Sequence, residues 1–128
     1  FTIQAQEERD HAMLFLEYLQ NNGAHVELKT VEAPKKQFKE FKDPLNESLK
    51  HERYVTASIH NIYAAASNVK DFRTMQFLDW FVKEQGEEEK TAEDLIKKLE
   101  LFGQDGKGLY MLDSELASRT YSAPTLTL

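Results

Sequence analysis

From Asp71 to Phe102 the sequence contains no proline, and one apolar stripe persists along it: Phe77, Phe81, Ala92, Leu95, Leu99 and Phe102. The spacing predicts a single helix over that range, with Gly103 as its stop. At about 1.5 Å per residue the helix spans roughly 48 Å. An element of that length needs partners of similar length, which points to a large helical bundle. Two carboxylates, Glu84 and Glu88, interrupt its stripe.

Two more long helices are expected. Gln4 to Gln20 holds no glycine, proline or β-branched residue, so a first helix runs from the N-terminus to about Asn22 and stops at Asn21-Asn22-Gly23. A second starts where Asp43 caps and Pro44 takes the first helical position. Its stripe is Leu45, Leu49, Val55, Ile59, Ile62 and Ala66, with Glu52 inside it. The short Asn68-Val69-Lys70 link turns the third helix back antiparallel. Gly23 to Asp43 shows no helical period, as a long crossover along a bundle requires. Gln104 to Gly108 reads as a flexible break, Leu109 to about Arg119 as a short fourth helix, and residues 120–128 as a flexible tail.

The totals narrow the function classes. A chain of 128 residues, 41% hydrophobic, is expected to form a single globular domain over 1–128. Three prolines and five glycines, clustered at a few points, favour long helices over a sheet. A net charge of −6 leaves no basic stripe for a nucleic acid, and no apolar run reaches membrane-spanning length. Acidity suits a protein that attracts cations. With no cysteine, disulfides and thiolate metal sites are excluded, and a reducing compartment fits. Phe1 falls in mid-pattern without a Met, cap or leader before it, so the N-terminus reads as a cut end.

The chemistry lies where acids break the apolar seams. On the first helix Glu8 and His11 are one turn apart, on the face that also carries Phe1, Ala5, Ala12, Phe15 and Leu19. Glu52 breaks the second seam, and Glu84 with Glu88 the third. Buried singly, such carboxylates are costly; together they are reasonable around a shared cation. Oxygen donors with one imidazole and no sulfur suit iron or manganese, with zinc open as well. Taken alone, each residue has a plainer reading. Glu87-Glu88-Glu89 is a solvated helical face, His11 a hydrogen-bonded core histidine, Trp80 and the phenylalanines core packing, and His25, His51 and His60 surface or structural residues.

In order and spacing, Gln6-Glu7-Glu8-Arg9-Asp10-His11, Lys50-His51-Glu52, Phe77-Leu78-Asp79-Trp80-Phe81, Glu84-Gln85-Gly86-Glu87-Glu88-Glu89 and Gly108-Leu109-Tyr110 resemble the bacterial non-haem ferritins, from about Gln4 to Arg119. The resemblance implies a ferritin-like all-α up-down bundle with a long crossover, three long helices and a short C-terminal one. It also implies the ligand set, which is the known arrangement of ferritin-like di-iron proteins rather than a deduction from spacing. In that set Glu8 bridges two irons, His11 ligates the first, Glu52 and Glu88 ligate the second, and Gln85 lies at the same centre. Glu7, Glu84 and Glu87 match a third iron position, and Trp80 an aromatic residue nearby. The implied activity is ferroxidase: Fe(II) is oxidised by oxygen or peroxide, and Fe(III) mineral is stored in a cytoplasmic shell of 24 chains.

One departure bears on this. Ferritins have a complete first helix, and the start of the next, before the segment matched by Phe1; these supply a terminal glutamate and a tyrosine. The bundle is therefore expected to lack its first helix and the first iron a ligand, unless a separate N-terminal fragment provides them. Two alternatives follow: a truncated subunit that binds iron and assembles without efficient turnover, or a rubrerythrin-like peroxide-reducing di-iron protein. The latter is disfavoured because no cysteine pair exists for a rubredoxin-type site. Bacterioferritin is disfavoured because Glu84-Gln85 and Glu88 stand where a second Glu-x-x-His is expected.

Overall fold

Local signals set most of the helix ends. The computed structural model describes residues 1–34 and 37–128 and contains α1 (Thr2–Asn21), α2 (Lys42–Asn68), α3 (Phe72–Phe102) and α4 (Gly106–Ala117). No strand occurs among the described residues, so the expected all-α class is observed. No described helix is long and apolar enough to cross a membrane. The chain divides into two compact units, one formed by Gln37–Asp113 and the other by Phe1–Lys36 with Ser114–Leu128.

In the second of these, α1 ends as expected. Gly23 takes a left-handed backbone, φ 67°, and its N–H donates to the Gln20 carbonyl at 3.0 Å. The Ala24 N–H reaches the Leu19 carbonyl at 2.9 Å, which completes a Schellman motif. Beyond it no helix or strand forms before α2 among the described residues, as a crossover requires; the part of that expectation on Lys35 and Lys36 lies outside them. The expected buried seam of α1 is not found. His11 is its one buried residue, while Phe1, Ala5, Ala12 and Leu19 are exposed. A helix face is buried only where another element covers it, and among the described residues α1 is the one complete helix in this unit. Residues after α4 pack on α1 through polar contacts: Arg119 pairs with Glu7, and the Tyr121 hydroxyl donates to Asp10 at 2.6 Å.

The other unit is built on the antiparallel pair α2 and α3. Helix α2 starts two residues before Pro44, which therefore stands inside the first turn, where its missing N–H costs nothing. Asp43 is not the cap expected from the sequence. It lies inside the helix, and its carboxylate accepts from the Lys39 and Glu40 N–H groups of the incoming chain, at 2.9 and 3.2 Å. Between the helices the chain turns through a second Schellman motif. Lys70 donates to Ser67 at 3.1 Å and Asp71 to Ala66 at 2.9 Å, with Lys70 itself at φ 60°. Asp71 then caps α3, accepting from the Thr74 N–H and hydroxyl. Those two bonds hold its carboxyl below the usual carboxylate range.

The buried residues of the pair recur every seven positions: Glu52, Ile59 and Ala66 on α2, and Leu78, Gln85 and Ala92 on α3, with Phe77 and Phe81 beside them. That is the period of a coiled-coil seam. Relative to the expected stripe the buried face of α3 is rotated, so Gln85 lies inside it while Glu84 and Glu88 are half-buried at its edges. Surface pairs Lys42–Glu100, Arg53–Glu93 and Tyr63–Asp79 tie the antiparallel register, each contributing little on its own.

Helix α4 begins three residues earlier than its expected start and ends two residues sooner. The supposed break supplies its cap instead: Asp105 accepts from the Gly108 N–H at 2.8 Å. Glycine at 108 is required by close approach, since a Cβ there would collide with the Phe102 carbonyl.

Candidate functional site

Each unit presents one carboxylate paired with a nitrogen-bearing side chain. On α1 the i, i+3 spacing brings Glu8 and His11 together, with Glu8 Oε2 3.5 Å from His11 Nδ1. The Gln4 amide donates to the other oxygen, Oε1, at 2.9 Å. The His11 side chain is 11% exposed, but the Glu8 side chain is 40% exposed. Glu8 is thus only partly withdrawn from water, less than the seam argument required. Its carboxylate is oriented from both sides, by an amide and by an imidazole.

On the α2–α3 pair the site is drier. Glu52 is 5% exposed and Gln85 3%, although both are polar residues on a heptad seam otherwise filled by Ile59, Ala66, Leu78 and Ala92. Gln85 Nε2 lies 3.2 Å from the Glu52 carbonyl oxygen and 3.4 Å from both Glu52 Oε2 and Thr56 Oγ1. Beside them Phe81 is almost fully buried, its ring 5.1 Å from Phe77 and 4.9 Å edge-on to Trp80. The low exposure of Glu52 and Gln85 strengthens any charge interaction made there.

The remaining expected residues divide. Glu84 and Glu88 are half-buried. Glu87 is exposed and pairs with Lys83 at 3.5 Å, the solvated helical face that a charge run ordinarily forms. Glu7 is held by Arg119 and is 13% exposed at its side chain. Among the described residues no three His, Asp or Glu side chains stand close enough to hold one metal ion. The donor set, carboxylate and amide oxygens with one imidazole and no sulfur, nevertheless suits iron or manganese, with zinc open as well.

Three residues near these pairs were not anticipated. Thr56 stands one turn beyond Glu52 on the same helix face, a signal present in the i, i+4 spacing. Arg119 and Tyr121 reach α1 from more than a hundred positions away, a pairing with no local signal.

Comparison with known proteins is specific. Residues 1–102 match the family model described as a ferritin-like domain. The chain is 40% identical over 119 residues to the bacterial non-heme ferritin of Staphylococcus epidermidis, covering 93% of this chain and 72% of that protein. With the bacterial non-heme ferritin of Staphylococcus aureus the identity is 39% over 121 residues, covering 94% and 73%. Among solved structures, an engineered closed form of the Archaeoglobus fulgidus ferritin superposes with a TM-score of 0.90 at 38% identity, over 94% of this chain and 73% of that one. The open-pore ferritin from the same archaeon gives 0.89 at 39% identity, over 92% and 73%.

Proposed function

This chain belongs to the ferritin family, and from that premise we propose that it stores iron, oxidising Fe(II) and holding the Fe(III) product. Iron is here the substrate and the cargo. The proposed ligands are Glu8, His11, Glu52, Gln85 and Glu88, with Glu7, Glu84 and Glu87 serving a third iron position.

The observation that carries this reading is Glu52 on the seam. A carboxylate buried where Ile59 and Ala66 continue the pattern is costly to stability, and a cation at its oxygen offsets that cost. Hard anionic oxygens favour Fe(III) over Fe(II), so oxygen-rich ligands lower the barrier to losing an electron to oxygen or peroxide. The roles of the chain's own groups follow from their contacts. Gln4 and His11 orient the Glu8 carboxylate from two sides. Gln85 directs its amide nitrogen at Glu52, and both residues are withdrawn from water. Fe(III) hydrolyses as it leaves and releases protons. Assembly into a 24-chain shell that encloses the mineral, in the cytoplasm, completes the proposal.

A second reading is a metal-binding subunit that assembles without efficient turnover. It is favoured by one observation: Glu7 and Glu87 are engaged by Arg119 and Lys83. Aerobic addition of Fe(II) distinguishes the two. Ferroxidase function predicts ferric absorbance growing faster than in buffer, with the excess abolished by Glu52→Ala and by Glu8→Ala. A rate equal to buffer in the unaltered chain removes the ferroxidase reading and leaves the binding subunit.

A further inference from the structure

The hydrogen bonds around Gln85 have a direction. Thr56 Oγ1 lies 2.6 Å from Glu89 Oε1. A carboxylate only accepts, so the single Thr56 hydroxyl proton is committed to Glu89. Its lone pairs then face Gln85 Nε2, 3.4 Å away. That nitrogen is also met by the Glu52 carbonyl oxygen and by Glu52 Oε2. Reversing the amide would set the Gln85 oxygen against three oxygens, none with a proton left to give it. Glu89 is itself fixed by Arg53, whose Nε lies 3.8 Å from Oε2 and whose Nη2 binds Glu93 at 2.8 Å. Donation therefore runs from Gln85 to Thr56 to Glu89, anchored on a guanidinium at the hairpin surface, and such aligned bonds reinforce one another.

We infer that Thr56 is a positioning residue for the Glu52–Gln85 pair. By giving its proton to Glu89 it fixes the Gln85 amide with nitrogen toward Glu52, and leaves the amide oxygen as the one Gln85 atom open to a cation. Thr56 itself touches no metal in this role. The inference rests on the reading above only in that Glu52 and Gln85 serve iron; the orientation of the amide stands without it.

The test uses the full chain with Thr56→Val, which keeps the shape and removes the hydroxyl, and Thr56→Ser, which restores it. In the metal-free protein, the Gln85 side-chain amide signals in the NMR spectrum are expected to shift and exchange faster in Thr56→Val, and to return in Thr56→Ser. With Co(II) as a spectroscopic probe, Thr56→Val is expected to bind about tenfold more weakly, the scale of losing an outer-shell partner. Thr56→Ser should stay close to the unaltered chain. Unchanged Gln85 signals in Thr56→Val overturn the inference whatever the Co(II) titration gives. Changed signals with unchanged Co(II) affinity confine Thr56 to a structural role and also overturn it. Absence of Co(II) binding in the unaltered chain counts against the iron reading, while the amide signals still decide the orientation.

Discussion

Replacing Lys70 by glycine is expected to stabilise the α2–α3 pair without touching a side-chain contact of the core. Lys70 holds φ 60° because the Schellman turn needs a left-handed residue between its two bonds, to Ser67 and from Asp71 to Ala66. For a residue with a Cβ that conformation costs roughly 1–2 kcal/mol. Glycine removes the strain but brings a freer unfolded chain, which offsets about 0.5–1 kcal/mol. The net gain is about 0.5–1 kcal/mol, or about 2–5 °C in Tm for a chain of this size. Gly23 supplies the opposite experiment. It occupies the same place in the same motif at φ 67°, and nothing lies within 4 Å of where a Cβ would stand. Gly23→Ala should therefore lose about 1 kcal/mol through the backbone alone. Urea unfolding followed by far-ultraviolet circular dichroism, at one protein concentration, measures both. An unchanged or lower midpoint for Lys70→Gly, beside a clear loss for Gly23→Ala, would refute the turn argument.

Three further outcomes are expected. Phe81→Ala should cost about 3–5 kcal/mol, because the ring is 2% exposed and packs on Phe77 and Trp80; a loss under about 1 kcal/mol in urea unfolding would show the position to be loosely packed. Asp105→Ala removes the acceptor of the Gly108 N–H and should cost about 1 kcal/mol, read as faster hydrogen exchange in the first turn of α4 with later turns unaffected. The Tyr121 hydroxyl is pushed above the ordinary tyrosine range mainly by donating to Asp10, with partial desolvation and the charges of Asp10 and Glu7 acting the same way. A raised value means that this bond stabilises the docked segment fully below about pH 10 and is lost as pH rises through the raised value. The tyrosinate absorbance difference between the unaltered chain and Tyr121→Phe should therefore titrate late, and in an Asp10→Asn background it should return to the ordinary range.

The parts of the fold legible in the sequence are those written in neighbouring residues. Asn21-Asn22-Gly23 announced its turn because glycine is the residue that takes φ 67° freely. Asp71 announced the start of α3 because a carboxylate there finds the Thr74 N–H three residues on. Lys70 gave no such sign, since lysine does not mark a left-handed position. The Asp105-Gly106-Lys107-Gly108 run misled because glycines suggest a break, whereas the Asp105 cap determines a helix start. The apolar stripes located Glu52 correctly, but the heptad seam of α3 selects Gln85 for its centre and leaves Glu84 and Glu88 at the edges. Glu8 was expected on a buried seam; its side chain is 40% exposed, because burial of a helix face depends on what covers it and no periodicity encodes that. Arg119 on Glu7 lies beyond any local pattern for the same reason.

Whether Glu8, His11, Glu52, Gln85 and Glu88 are ligands of iron is tested most directly by Fe(II) binding without oxygen, measured as Fe(II) retained per chain at equilibrium. The expected result is about two Fe(II) held tightly per chain. His11→Ala and Glu52→Ala should each lose at least one of them while keeping the helical content of the unaltered chain. Unchanged retention in both variants would contradict the assignment.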